Sequence, residues 1–140
     1  MKLSTRSRYG TRMLIDIAQN SNGKPVSVSD MSKRLGVSVK YLEQLIRPLK
    51  SAGYLDSVRG PKGGHRLTKS PDEITVGEVV RLLEGGINLT DCVGDAAKCE
   101  RAGTCNVRAV WVEATSAMNS ILDSIKLSQI SHAEGINCCS

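Results

Sequence analysis

The stretch 27–67, SVSDMSKRLGVSVKYLEQLIRPLKSAGYLDSVRGPKGGHRL, decides the fold. Ser29 is placed to cap a helix with Met31 and Leu35 as its apolar stripe, and Gly36 breaks it. Ser38 starts a second helix that runs to Ala52, where Gly53 stops it. A short helix, a tight glycine turn and a longer helix are the sequence form of a helix-turn-helix, an outline that any helical hairpin shares. The longer helix has two faces. Leu42, Leu45, Ile46 and Leu49 form the stripe expected to be buried, and Lys40, Glu43, Gln44, Arg47 and Lys50 form the polar side. Long donors mixed with an amide and a carboxylate are the types that read base edges in a major groove, although an ordinary solvated face carries them too. Pro48 deletes the bond to the Gln44 carbonyl and predicts a kink or an early loosening.

Residues 54–68 separate these possibilities. Tyr54, Leu55, Ser57 and Val58 suit a strand, RGPKGG at 59–64 suits a turn, and 65–68 suit the returning strand. A hairpin directly after a candidate recognition helix is a wing. Its tip would carry Arg59 and Lys62 to phosphates or into a minor groove, where arginine is favoured in narrow, electronegative stretches. The candidate DNA-facing set is Ser38, Lys40, Tyr41, Glu43, Gln44, Arg47, Arg59 and Lys62. Before this core, residues 5–19 read as a helix capped by Thr5, with Tyr9, Met13, Leu14 and Ile17 at helical spacing, and 21–26 have the composition of a turn. After it, Thr75 caps a helix through Glu84 with Val76, Val79, Val80 and Leu83 inward, and Gly85-Gly86 ends it.

Residues 87–104 form a polar loop, longer than usual connections. From about Cys105 to Ile125 the residues Val107, Val110, Trp111, Ala114, Met118, Ile121, Leu122 and Ile125 make an apolar stripe on a helix about 30 Å long. Such a helix needs a long partner. A second copy is expected to supply it, with lesser packing inside the chain on the first helix. The expected fold is mainly α: a winged helix-turn-helix with a small two-stranded β wing plus a long C-terminal dimerisation helix. The expected organisation is a DNA-binding domain at 1–84, a cysteine loop at 85–104, a dimerisation region at 105–132 and a flexible tail at 133–140.

Composition agrees. The chain has 140 residues, 40% hydrophobic and 24% charged, as a folded soluble domain has. No apolar run approaches the roughly 20 residues that span a bilayer. Arg6, Arg8 and Arg12 interrupt the N-terminus before a signal-peptide segment forms, so a cytoplasmic protein without a membrane partner is expected. The net charge is +5, with most Lys and Arg in 1–70, which suits a polyanionic partner. No enzyme constellation competes. There is no Walker loop or dinucleotide fingerprint, and His65 and His132 sit in no triad motif.

All five cysteines lie in the last third: Cys92, Cys99, Cys105, Cys138 and Cys139. An odd count argues against a disulfide framework. Six residues separate Cys92 from Cys99 and five separate Cys99 from Cys105, looser than the two to four common in structural zinc sites. Even spacing in a Gly-rich loop suits wrapping a larger object, and thiolates are the usual ligands of iron–sulfur clusters. Spacing leaves a cluster and zinc both open, with free thiols as a third reading. Trp111 is placed to shield one side.

With these residues in view, the chain resembles the IscR-like iron–sulfur cluster regulators of the Rrf2 family of winged-helix transcription factors. The resemblance spans residues 1 to about 130. It rests on MKLSTRSRYG at the start, YLEQL in the recognition helix, SVRGPKGGHRL in the wing, ITVGEVVRLLEG in the fourth helix and the C…C…C…VW block. It implies a homodimer with crossing C-terminal helices, bound to a near-palindromic site on double-stranded DNA, often as a repressor. It also implies DNA contacts at Tyr41, Glu43, Gln44 and Arg59. A 2Fe–2S cluster would sit on Cys92, Cys99 and Cys105 and report cluster supply to the genes of cluster assembly. The histidine that IscR-like members carry three residues after the third cysteine is Arg108 here, and the N-terminal aspartate of the nitric-oxide-sensing branch is Arg8. The fourth ligand stays open, with Asp91, Asp95, Glu100 and His132 as candidates. The alternative is a winged-helix repressor of sulfur or cysteine metabolism, or of nitric oxide stress. A protein partner, another cluster type or zinc would then control it.

Overall fold

The computed structural model describes residues 2–132. The expected flexible tail at 133–140, with Cys138 and Cys139, lies outside the described residues.

Helix α1, Thr5–Asn20, is the hub. Met13, Leu14 and Ile17 are completely buried, and α1 touches α2 (Val28–Leu35), α3 (Val39–Ser51), α4 (Val76–Glu84) and α7 (Leu127–Ser131). Thr5 is not its cap. Ser4 holds the N-cap position, and its hydroxyl donates to Glu84 Oε1 at 2.7 Å rather than to its own helix. The Ser4 N–H and the Ser7 hydroxyl donate to the same oxygen. These bonds, that of Ser7 foremost, hold the Glu84 carboxyl below its ordinary range and tie the start of α1 to the end of α4. Gly10 lets the two helices close up, because a Cβ there would collide with the Leu83 side chain.

The helix-turn-helix forms as its sequence requires, with one shift. Ser27, not Ser29, caps α2, accepting from the Asp30 N–H at 3.1 Å. Gly36 closes α2 at φ 68°, a left-handed conformation that glycine adopts without strain. Ser38 caps α3 by accepting from the Tyr41 N–H at 3.1 Å. Leu42, Leu45, Ile46 and Leu49 of α3 are buried against Met31 and the α1 residues. The helix runs through Pro48 and ends one turn later at Ser51, so any loosening falls in its last turn.

The wing is the antiparallel pair β1 (Leu55–Val58) and β2 (Gly64–Leu67), with Leu55 opposite Leu67 and Val58 opposite Gly64. The 21–26 stretch does more than turn. Val26 and His65 exchange two backbone hydrogen bonds of 2.8 Å, so a one-residue bridge fastens the wing to the start of the helix-turn-helix. A capping box then starts α4. The Thr75 hydroxyl accepts from the Glu78 N–H, and the Glu78 carboxylate accepts from the Thr75 N–H.

The segment after α4 holds two short turns of helix, α5 at Asp91–Gly94 and a 3-10 turn at Ala96–Lys98. The long helix α6 spans Asn106–Ser124. The expected packing of this helix on α1 is replaced by packing on α4 and α5; it is α7 that packs on α1. Leu127 of α7 is fully buried in the head's core, and Thr75 bridges Lys126.

Helix α6 is inverted relative to an ordinary surface helix. Its polar side faces the chain. Arg81 of α4 donates to Asn119 at 3.1 Å and to Asp123 at 2.7 Å, and Thr115 is the one buried residue of the helix. Its apolar side faces outward: Val107, Val110, Trp111 and Ile121 are 53%, 55%, 38% and 61% exposed. A 3.6-residue period puts 107, 111, 114, 118, 121 and 125 on one stripe and 115, 119 and 123 beside it.

Candidate nucleic-acid interface and cysteine loop

Two elements present the basic surface. On α3, Lys40, Glu43, Gln44 and Arg47 are exposed, opposite the leucine face that anchors the helix. Ser38 is exposed at the cap. Val39, which the polar-residue reading passed over, is 37% exposed beside it and adds an apolar contact of the kind a thymine methyl takes. The signal was its place in the first turn, off the leucine stripe. Tyr41 differs from the rest of the set. It is half-buried, its ring meets Tyr9 edge to face with centroids 6.0 Å apart, and its hydroxyl is buried with no hydrogen-bond partner.

On the wing, Arg59 and Lys62 lie at the turn, both exposed. Neither makes an ion pair or hydrogen bond with a described residue. The other wing cations are engaged. Arg66 pairs with Asp56 at 3.2 Å, which holds that carboxyl below its ordinary range. Lys69 lies 4.9 Å from the centroid of the Tyr54 ring. The His65 imidazole is held below its ordinary range by burial first and by Lys50 second, with Glu43 opposing, so it adds no positive charge to the wing at neutral pH. The free cations of the hairpin are therefore those at its tip.

The three clustered cysteines sit on three consecutive pieces of backbone. Cys92 lies in α5, Cys99 follows the 3-10 turn, and Cys105 is the N-cap of α6. All three are half-buried thiols outside any disulfide. The Cys92 thiol has the Thr90 hydroxyl at 3.2 Å. Among the described residues no three His, Cys, Asp or Glu side chains converge as a ready-made metal site, so the structure does not bring the three thiols to one point. The donor set, three unoxidised soft ligands carried by a short loop, fits an iron–sulfur group chemically. Asp91, Asp95, Glu100 and His132 are exposed. Asp95 is already used, its carboxylate accepting from the Ala97 N–H at 3.0 Å. Trp111, expected to shield the loop, belongs to the outward stripe of α6.

Three side chains on the inward side of α6 hold this loop. Asn119 donates to the Ile87 carbonyl at 3.3 Å, Thr115 accepts from the Leu89 N–H at 3.3 Å, and Arg108 Nε donates to the Cys92 carbonyl at 3.1 Å. The sequence reading passed over this set. Its trace was polar residues at 108, 115 and 119, in helical register along one side of an otherwise apolar helix.

A model of the Rrf2 family, described as iron-dependent transcriptional regulator, matches residues 3–133. The chain is 45% identical over 130 residues to Protein rrf2 of Nitratidesulfovibrio vulgaris, covering 93% of this chain and 87% of that protein. The solved structure of T. potens IscR matches with a TM-score of 0.78 at 33% identity, covering 100% of this chain and 93% of that one. CymR, the global cysteine regulator of B. subtilis, matches with a TM-score of 0.78 at 35% identity, covering 94% and 96%. A mainly helical chain with a two-stranded wing and relatives of this kind is a regulator of transcription and not an enzyme. The chain belongs to the Rrf2 family of transcriptional regulators, with IscR-like relatives.

Proposed function

We infer that the chain acts as a cytoplasmic homodimer that binds a near-palindromic operator and represses or releases transcription according to an iron–sulfur cluster, of the 2Fe–2S type, on Cys92, Cys99 and Cys105. The observation that carries this reading is the placement of three free thiols on the loop held along α6, the helix whose apolar side has no partner among the described residues. Iron dependence in the description of the family model supports the cofactor class. Expected targets are the genes of cluster assembly. No helix among the described residues is long and apolar enough to cross a membrane.

The alternative reading is a regulator of cysteine or sulfur metabolism controlled by a protein partner, with the thiols as zinc ligands or free. The match to CymR favours it as much as the match to IscR favours the first. Anaerobic purification with visible spectra and iron, sulfide and zinc analysis separates the two. A coloured protein with equal iron and sulfide, and a footprint that changes when the chromophore is removed, is the expected result. A colourless protein carrying stoichiometric zinc, or none, with an unchanged footprint would favour the alternative.

The DNA assignment has its own test. Arg59→Ala should weaken operator binding by about 1–3 kcal/mol, roughly ten- to a hundredfold, because an unpaired guanidinium at the wing tip is free to enter the minor groove. Lys69→Ala should change it little, since that ammonium lies over the Tyr54 ring. Equal losses in mobility-shift titrations at one salt concentration would remove the wing tip from the interface.

A further inference from the structure

Arg108 occupies an unusual position. It is half-buried, and the bond from its Nε to the Cys92 carbonyl is its one hydrogen bond to a described residue. No carboxylate pairs with it among the described residues. A guanidinium carries five N–H donors, so four remain unused. It lies one turn into α6 from Cys105, the N-cap of the same helix, and its bonded neighbour is the peptide of Cys92. A half-buried cation with spare donors therefore stands between two of the three thiol-bearing segments. Spare donors and a positive charge at that place suit an anionic neighbour.

We propose that Arg108 is a positioning residue for the iron–sulfur group inferred on Cys92, Cys99 and Cys105, and this role rests on that inference. Its Nε fixes the Cys92 segment against α6, and its remaining donors and fixed charge face the thiolates and sulfides that the group brings. Bound thiolates and sulfides leave such a group anionic, and a half-buried cation beside it offsets that charge more than the same cation in bulk water. Arg108 cannot ligate iron itself, because it stays protonated and offers no lone pair. Charge and hydrogen bonding of this kind would support a cluster whose fourth ligand is weaker than thiolate or imidazole. The competing account is that Arg108 merely satisfies an orphan carbonyl, as any buried C=O requires. A neutral donor would serve that purpose equally well.

The experiment uses the full chain with Arg108→Ala, Arg108→Gln and Arg108→Lys, each checked for a wild-type circular dichroism spectrum. In the metal-free protein, amide exchange across 88–95 is expected to rise roughly tenfold in Arg108→Ala, the loss of about one hydrogen bond, and to stay near wild type in Arg108→Gln, which keeps a donor. After anaerobic reconstitution with ferrous iron and sulfide, both Ala and Gln variants are expected to lose iron to a chelator roughly 10- to 100-fold faster than wild type. Arg108→Lys, which keeps the charge, should lie between. Wild-type iron loss in Arg108→Gln would overturn the proposal and leave a plain backbone tether. Failure of the wild-type protein to take up iron and sulfide would overturn the cluster reading, and this role with it. That outcome is distinct from a wild type that loads while its variants hold iron equally well.

Discussion

Ile121→Asp should convert a dimer into a folded monomer that no longer binds its operator. Ile121 is 61% exposed, so within one chain a carboxylate there meets water and should cost within about 0.5 kcal/mol. If two α6 helices pack along Val107, Trp111, Met118 and Ile121, the same change puts an unpaired charge into each half of a symmetric interface. A buried, unpaired charge costs about 3 kcal/mol or more, which is upward of a hundredfold in the dimer dissociation constant. Thermal unfolding should thus stay cooperative while sedimentation reports half the mass. Operator affinity should collapse, because a lone head grips one half-site. The polar side of α6 is already spent on Arg81, Leu89 and Ile87, which leaves the apolar side for a partner. A folded Ile121→Asp protein that still sediments as a dimer would place the interface elsewhere.

Much of the head was legible because its signals are local. Ser38 before a leucine-periodic helix, Thr75 three residues before Glu78, and a glycine-rich turn between two β-favouring runs each fix a few backbone groups through near neighbours. What was not legible depends on residues far apart in the chain. Nothing near Val26 announces that its peptide will pair with His65. The serine that caps α2, Ser27, directly follows that bridge. The Ser4 hydroxyl abandons its own helix for Glu84, eighty positions away. The stripe on α6 was read correctly as apolar, but periodicity says only that a helix has two sides, not which side faces its own chain. Here the hydrogen-bonding needs of an irregular loop decided the matter, with Thr115, Asn119 and Arg108 turned toward the backbone of 87–92. The cysteines were legible as a set, while their separation in the structure was not.

That arrangement links the loop to both functional ends of the chain. The loop is laced to α6. The far end of α6 passes through Ile125 into α7, whose Leu127 is buried beneath α1, while Val76 of α4 donates to the Ile125 carbonyl at 2.9 Å. A group bound on the loop, as proposed above, would therefore act on the helix that carries the apolar stripe, and through its end on the recognition head. In the dimer proposed above, two heads on a shared helix pair would answer small changes in that helix by altering the spacing of their recognition helices. Half-site spacing is what a dimeric reader of DNA measures.

Replacing any one of Cys92, Cys99 and Cys105 with alanine should abolish iron and sulfide retention, whereas Cys138→Ala and Cys139→Ala should load fully. The first three belong to successive pieces of one loop held against α6, so one group can draw on all of them. Two remaining thiolates cannot replace the lost one, because a 2Fe–2S cluster is already one ligand short with three. Among the oxygen and nitrogen candidates, Asp95 is engaged by the Ala97 N–H, and His132 follows α7, whose neighbours are α1 and the turn at Pro71–Glu73. Asp91 and Glu100 are exposed, carry no side-chain hydrogen bond to a described residue and stand next to Cys92 and Cys99 in sequence. Loss of loading in Asp91→Ala or Glu100→Ala, with Asp95→Ala and His132→Ala unaffected, is the expected pattern. A carboxylate binds iron less tightly than thiolate or imidazole does, so the loaded protein should give up its iron readily, which suits the proposed role in reporting cluster supply. Anaerobic reconstitution of each variant, followed by visible spectra with iron and sulfide content, is the measurement. Full loading of Cys99→Ala, or loss in Cys138→Ala, would dismantle the three-cysteine site.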